Sequence, residues 1–406
     1  MAKTVMLAIL SILLVAAIIL QPDAAFQSSL QGLTVWWDIV FPGLLPFLVL
    51  FELISAFGLA HAIGTLLQPA MCRLFKLPGE AALCVVLGWL GGYPSGAEAA
   101  ASLRKRKLVT KQQGQRLLAL AHMPNPLFML VVVGAGFMHK PVAGILIAAA
   151  VWLSALWLTV AVALLSRERL EKESPAPDSG PRPGLLARAA EALRIGREQD
   201  GRSFGKTLGD AVSASVQKLM MIGGFMIFAA VLAKLSEPAV GPLLNGAGLG
   251  FLAQAFFEGH LGAYAAAVWD APGAGTLFNF AVIAAVLAWS GLSGVLQAGY
   301  AISGTDLKLL PFLAARAVHA AHAFVFMVLL WEPVTRLLRA LLPPGAAPAF
   351  RPDGSFDSGT VASFAWKAGD LPALWPYSIA LCTALALAGL FVAVLLLPFR
   401  RTTDSV

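Results

Sequence analysis

The chain has 406 residues, of which 58% are hydrophobic and only 13% charged, with a formal net charge of +7. Soluble domains carry about 25% charged residues, so this composition, with a mean hydropathy of +0.78, excludes an ordinary soluble fold and describes a polytopic membrane protein. The basic excess is spread over loops, a pattern that positive-inside topology explains and nucleic-acid binding does not. Cys72, Cys84 and Cys382 are scattered and form no disulfide framework or CxxC site.

Residues 1–32 open with Met1-Ala2-Lys3 and an apolar run from Val5 to Leu20. A signal peptide has that length too, but Asp23 occupies a position where a cleavage site wants a small residue. A retained signal-anchor helix is therefore expected. Further spans are expected near 33–59, 117–138, 142–166, 210–234, 275–300, 310–333 and 375–398, about eight in all. His61 to Lys76 reads as an amphipathic helix lying along the membrane surface.

Two apolar stretches, near 80–103 and 246–270, are too broken to be single spans. Gly91-Gly92-Tyr93-Pro94-Ser95-Gly96 divides the first. Each arm has roughly ten residues, about 15 Å of helix, which is half a bilayer core. Such segments read as re-entrant helical hairpins with tips near the midplane, where irregular backbone survives only against protein or a watery cavity.

Loop charge gives the orientation. Arg104-Lys105-Arg106-Lys107, Lys111 and Arg116 form a basic loop without an acid, expected on the cytoplasmic side. The charged, Pro- and Gly-rich linker 167–209, with a short helix near Leu185–Ile195, falls on the same side. So do Lys3 and the C-terminal Arg400 and Arg401. Arg336 and Arg339 are a mild exception, and the loop 341–374 is expected outside. The hairpins then open from opposite sides. Each follows one span and precedes two, so 33–166 and 210–340 read as inverted repeats, a pattern that points to a midplane substrate site in secondary transporters. Residues 375–406 form the last span and tail.

Candidate site residues lie at the breaks. Ser95-Gly96-Ala97-Glu98 fits a capping box; the other reading makes Glu98 an intramembrane coupling group. In either case Pro94, Ser95 and Gly96 mark a half-helix N-terminus suited to a carboxylate. In His122-Met123-Pro124-Asn125-Pro126 the two prolines free carbonyls one turn earlier. Asn125 between them either binds substrate or bonds to a neighbouring helix. Glu258 and His260 are ionisable at the second tip and either serve the site or pair with each other. Trp289-Ser290-Gly291-Leu292-Ser293-Gly294 mirrors the first break. Its glycines suit close helix packing, while Ser290, Ser293 and Gln297 suit a polar lining. Glu52 lies within a span as a cap or gate. Lys218 and Arg316 either snorkel or attract an anion; Arg316, His319 and His322 share a helix face.

These same segments, with Leu310-Pro311-Phe312-Leu313-Ala314-Ala315-Arg316-Ala317-Val318-His319-Ala320, resemble the YlbJ (SpoVV) family of sporulation integral membrane proteins, which carry a nucleoside-recognition gate domain. The resemblance spans about Trp36 to Leu330. It implies a fold like that of concentrative nucleoside transporters. It also implies export of dipicolinic acid from the mother cell across the outer forespore membrane of a spore-forming bacterium. The expected function is thus secondary transport of a small anion such as dipicolinate, coupled to H+ or Na+, with no cofactor or metal and both termini cytoplasmic. A nucleoside or other small-solute carrier and a non-transporting scaffold of spore maturation are the alternatives. The chain has no HExxH, paired GxD or Ser-Lys constellation and no P-loop, so an enzyme is not expected. The outer loop and the 61–76 helix are candidate contacts for a homo-oligomer.

Overall fold

A computed structural model describes residues 2–166, 184–269 and 276–341, and every regular element among them is helical. The expected last span, the loop 341–374 beyond its first residue and residues 167–183 of the expected 167–209 linker lie outside the described residues.

Helix α1 (Ala2–Leu20) ends at Gln21, and Pro22 opens α2 (Pro22–Val35), where its missing N–H costs nothing. A π-helical turn (Trp36–Val40) joins α2 to α3 (Phe41–Ala56) without a break. The span expected at 33–59 is therefore part of a longer helix, Pro22–Ala56. The π turn sits just before Pro42 and Pro46, which lack donors for the regular ladder. α4 (Leu59–Leu74) is the expected amphipathic helix.

Next come α5 (Ala81–Gly91) and α6 (Ser95–Lys105), which pack on each other, and α7 (Lys111–Ala121). α7 begins with a full capping box between Thr110 and Gln113. The segment expected as a span at 117–138 is divided: α7 stops at Ala121, and a ten-residue π-helix, Phe128–Phe137, follows the Pro124–Pro126 break. α8 (Pro141–Leu165) is long and continuous.

α9 (Leu185–Asp200) extends the expected linker helix by a turn and docks on α4. Gly58 and Gly196 permit that contact: a side chain at Gly196 would begin 2.8 Å from the Gly58 Cα. Arg188 adds a 2.7 Å bond to Gln68. α10 (Phe204–Gly246) runs well beyond the expected 210–234, continuing through Pro238 and Pro242 near its end. Trp36 locks α10 to α2, its indole donating to the Leu219 carbonyl at 2.9 Å and lying over Gly223. The remaining helices are α11 (Leu252–Phe257), α12 (Gly259–Ala267), α13 (Thr276–Trp289), α14 (Gly291–Ala301) and α15 (Leu309–Leu341).

Five described helical stretches are long and apolar enough to cross a membrane: Pro22–Ala56, Ala143–Leu165, Phe204–Gly246, Leu277–Ala301 and Leu309–Leu337. The protein is thus an integral membrane protein. Its buried side chains form two apolar clusters. One gathers residues of α2, α3, the π-helix, α8, α10, α13 and α15. The other gathers α4 to α7 with α14 and the start of α15. Ala121 belongs to the second cluster and Met123 to the first; Ala288 belongs to the first and Val295 to the second. Both helix breaks therefore cross the boundary between the clusters.

Candidate functional site

The first junction is built by glycine. A side-chain carbon at Gly88 of α5 or Gly96 of α6 would lie 2.0 Å from the Ala121 carbonyl oxygen. Only glycine lets the end of α7 sit in the notch between the two helices. The Trp89 indole fixes it there, donating to the Leu120 carbonyl at 2.8 Å. Past this point Pro124 and Pro126 offer no N–H, and Asn125 replaces the lost pattern. Its amide donates to the Leu90 carbonyl at 2.7 Å, and its oxygen accepts from Leu127 N at 2.8 Å. Asn125 thus ties the end of α5 to the start of the π-helix. Gly92-Tyr93-Pro94 joins α5 to α6 through a cis Tyr93–Pro94 peptide.

The second junction has the same plan with different chemistry. Glu258 lies between α11 and α12 and caps α12: one carboxylate oxygen accepts from Leu261 N at 2.6 Å. The other oxygen lies 2.7 Å from His260 Nδ1 and 3.5 Å from the Ser293 hydroxyl. Opposite, α13 breaks at Ser290 and Gly291, both left-handed with φ of +71° and +70°. A side chain at Gly291 would begin 2.5 Å from Gly259 N, so this turn presses directly on the start of α12. The Trp289 indole donates to the Phe256 carbonyl at 3.1 Å.

Groups from both junctions meet between them. The Tyr93 hydroxyl donates to the Leu287 carbonyl in α13. Its ring lies 4.5 Å from that of His122, and the Phe128 ring lies 4.5 Å from that of His260. Arg316 of α15 is 1% exposed. It donates to the His122 carbonyl at 2.9 Å and to the Ala288 carbonyl, bridging the two breaks. Those carbonyls are left free by the interrupted helices, and the guanidinium supplies donors for them. Ser95, Ser290 and Gln297 are also buried, and their side-chain oxygens find no partner among the described residues.

Pro94, Ser95, Gly96, Asn125, Glu258, His260, Ser290, Ser293, Gln297 and Arg316 are thus all buried at or between the junctions. Two expectations change. The Ser95–Glu98 capping box is absent: Pro94 holds the cap position, Ser95 is already helical and makes no cap bond, and Glu98 one turn on is exposed. Lys218 pairs with Glu52 at 2.6 Å, linking α10 to α3, so each neutralises the other. His319 joins α15 to α8 through Val151 and Ser154, and His322 bonds the Val318 carbonyl of its own helix. Sequence reasoning passed over two side chains, Tyr93 and His122. Their signal was adjacency to the breaks, which also fits plain packing. Among the described residues no cluster of His, Cys, Asp or Glu could hold a metal.

A polar clasp joins the same halves at one end of the molecule. Arg104 of α6 pairs with Asp306 through both carboxylate oxygens, at 2.8 and 2.9 Å. Gln115 of α7 exchanges two bonds with the Lys308 backbone, at 2.9 and 3.0 Å. The hydrogen bond from Arg104 holds the Asp306 carboxyl below its usual range.

A family model described as Gate, nucleoside recognition, matches residues 38–141. The match covers α5, α6, α7 and the first break, but not the second junction. The sporulation integral membrane protein YlbJ of Bacillus subtilis is 33% identical over 352 residues, covering 82% of this chain and 84% of that protein. The chain belongs to the YlbJ family. Similarity over that share of the chain takes in both junctions. No solved structure matches the chain.

Proposed function

We propose that this protein is a secondary transporter of a small anionic metabolite, dipicolinate, moved across the outer forespore membrane during sporulation. The observation that carries the reading is the meeting of two broken helices over buried polar groups, bridged by Arg316, at the boundary of two apolar clusters. Interrupted helices expose N–H groups and carbonyls at membrane depth, which suits ion and substrate binding. In this reading α5–α6 and α11–α12 are re-entrant hairpins of an inverted repeat within an eight-span protein. Ser95, Gly96 and Asn125 contribute from one repeat; Glu258, Ser290, Ser293 and Gln297 contribute from the other. Glu258 with His260 is the candidate for coupling to H+ or Na+, because it is the buried ionisable pair at a tip. Kinship with a sporulation protein supports the setting, and the family resemblance suggests dipicolinate.

The test is uptake of dipicolinate into liposomes holding the purified protein, under imposed proton or sodium gradients and with uridine as competitor. Saturable flux that uridine leaves intact, and that Asn125→Leu or Ser293→Leu abolishes, is expected. Full transport by either variant would sink the site assignment. A second reading, a nucleoside carrier, is favoured by the description of the matching family model; uridine flux would select it. Absence of flux for both compounds would favour a scaffold.

A further inference from the structure

Arg316 is a buried cation that forms no ion pair with a carboxylate among the described residues. Leaving a charge so far from water without an anion is costly. The guanidinium has five N–H donors. The bonds to the His122 and Ala288 carbonyls engage Nη1 and Nη2, and Nε has no partner. The His122 imidazole is fully buried, and neither ring nitrogen has a partner. Either tautomer of that ring carries an N–H donor. The Ser290 hydroxyl is 2% exposed and likewise unpartnered.

Arg316 holds the backbone of both breaks, and the His122 ring and Ser290 hydroxyl lie near each other there. A side chain at Gly294 would begin 3.1 Å from the Ser290 hydroxyl oxygen and 3.6 Å from His122 Nε2. The absent side chain of Gly294 thus lets these two unpartnered groups sit as close neighbours across its Cα. Aromatic rings border the imidazole: His122 lies 4.5 Å from Tyr93 and 5.1 Å from Phe312, centre to centre. Ser290 is held left-handed at φ +71°, a conformation that costs energy for any residue with a side chain. Strain of this kind at a buried hydroxyl without a partner points to function.

We propose that Arg316, His122 and Ser290 form the carboxylate-recognition point of the transport path, taking one carboxylate of a flat aromatic acid whose ring lies by Tyr93 and Phe312. The assignment rests on the transporter reading above and adds the ligand group and the residue His122 to it. A carboxylate supplies the missing anion and accepts from all three donors. A metal cation is disfavoured beside an unneutralised guanidinium.

The test is calorimetric titration of the full-length protein in nanodiscs with dipicolinate, picolinate and the uncharged pyridine-2,6-dicarboxamide, each preparation also being melted. Both acids are expected to bind, with the diamide at least about tenfold weaker. His122→Phe keeps the ring stack and the backbone carbonyl that Arg316 holds, yet removes both nitrogens. Ser290→Gly removes the hydroxyl and relieves the left-handed strain. Each is expected to weaken dipicolinate about tenfold, while Ser290→Gly melts no lower than the natural protein. A purely structural Ser290 would give a variant of equal or better stability with unchanged affinity. If both variants bind dipicolinate as well as the natural protein, the recognition point is wrong and the transporter reading survives. If the natural protein binds neither acid, both fall.

Discussion

The two junctions share a plan and differ in substance. In each, a pair of packed helices receives the broken end of another helix, and a tryptophan indole ties the two together: Trp89 to Leu120 in the first, Trp289 to Phe256 in the second. The first junction has no carboxylate at its break. Prolines interrupt the helix, and Asn125 satisfies the freed backbone. The second junction carries a buried carboxylate against an imidazole, and its turn is made by left-handed Ser290 and Gly291. One break is satisfied by an amide, the other faces a carboxylate across a left-handed turn.

Breaking the tighter side should cost most. Gly96→Ala drives a methyl to 2.0 Å from a backbone oxygen, whereas at Gly259 the nearest atom is Ser290 C at 3.0 Å. Gly96→Ala is expected to destabilise by about 1–3 kcal/mol or more, and Gly259→Ala to fall at the low end of that range. Melting in detergent, followed by tryptophan fluorescence, checks the order; equal losses would dissolve the contrast.

Glu258→Gln sharpens the electrical half of the comparison. The amide oxygen still accepts from Leu261 N, so the cap survives with a loss of up to about 1 kcal/mol from the helix dipole. Exchange of substrate across liposomes should persist, while accumulation driven by an ion gradient stops. Gradient-driven accumulation at the natural rate would remove Glu258 from coupling.

The smallest effect is expected at the exposed clasp, which lies outside both junctions. Arg104 lowers the pKa of Asp306, so the contribution of the pair is present above the ordinary carboxylate value, about 3.9, and is lost as pH falls through the depressed one. Salt screens such a pair. Hydrogen exchange across residues 303–309 should quicken in Asp306→Asn and lose its dependence on ionic strength. Unchanged protection would show that the Gln115 pair holds this end alone.

The breaks were legible because Gly, Pro and Ser cluster there within apolar runs, at Gly91–Gly96, Pro124–Pro126 and Ser290–Gly294. The long extent of α10 was not legible: the helix runs past the expected end at 234 and through Pro238 and Pro242. The helix Pro22–Ala56 begins before the expected start at 33, and the π turn at Trp36–Val40 carries it on toward Pro42 and Pro46. The false capping box fitted its pattern, but that pattern carries no information about which residue holds the cap. Arg316 was noticed as a charge on a helix face; its carbonyl partners lie far away in sequence and required the fold. His122 stayed hidden because a single histidine in apolar surroundings is usually a packed one.

The bond from Arg316 to His122 spans 194 residues, as does the one from Tyr93 to Leu287. At about 5–20 residues per second of synthesis, the His122 carbonyl waits roughly 10–40 s for the guanidinium that satisfies it. During that interval the first junction exists in the bilayer with its acceptor unmet, an expensive condition in hydrocarbon. The newborn first half must therefore be sheltered, by water in the insertion machinery or by a chaperone, until α15 arrives. A chain truncated before Leu309 should be cleared by proteolysis even though every helix of its first half is present.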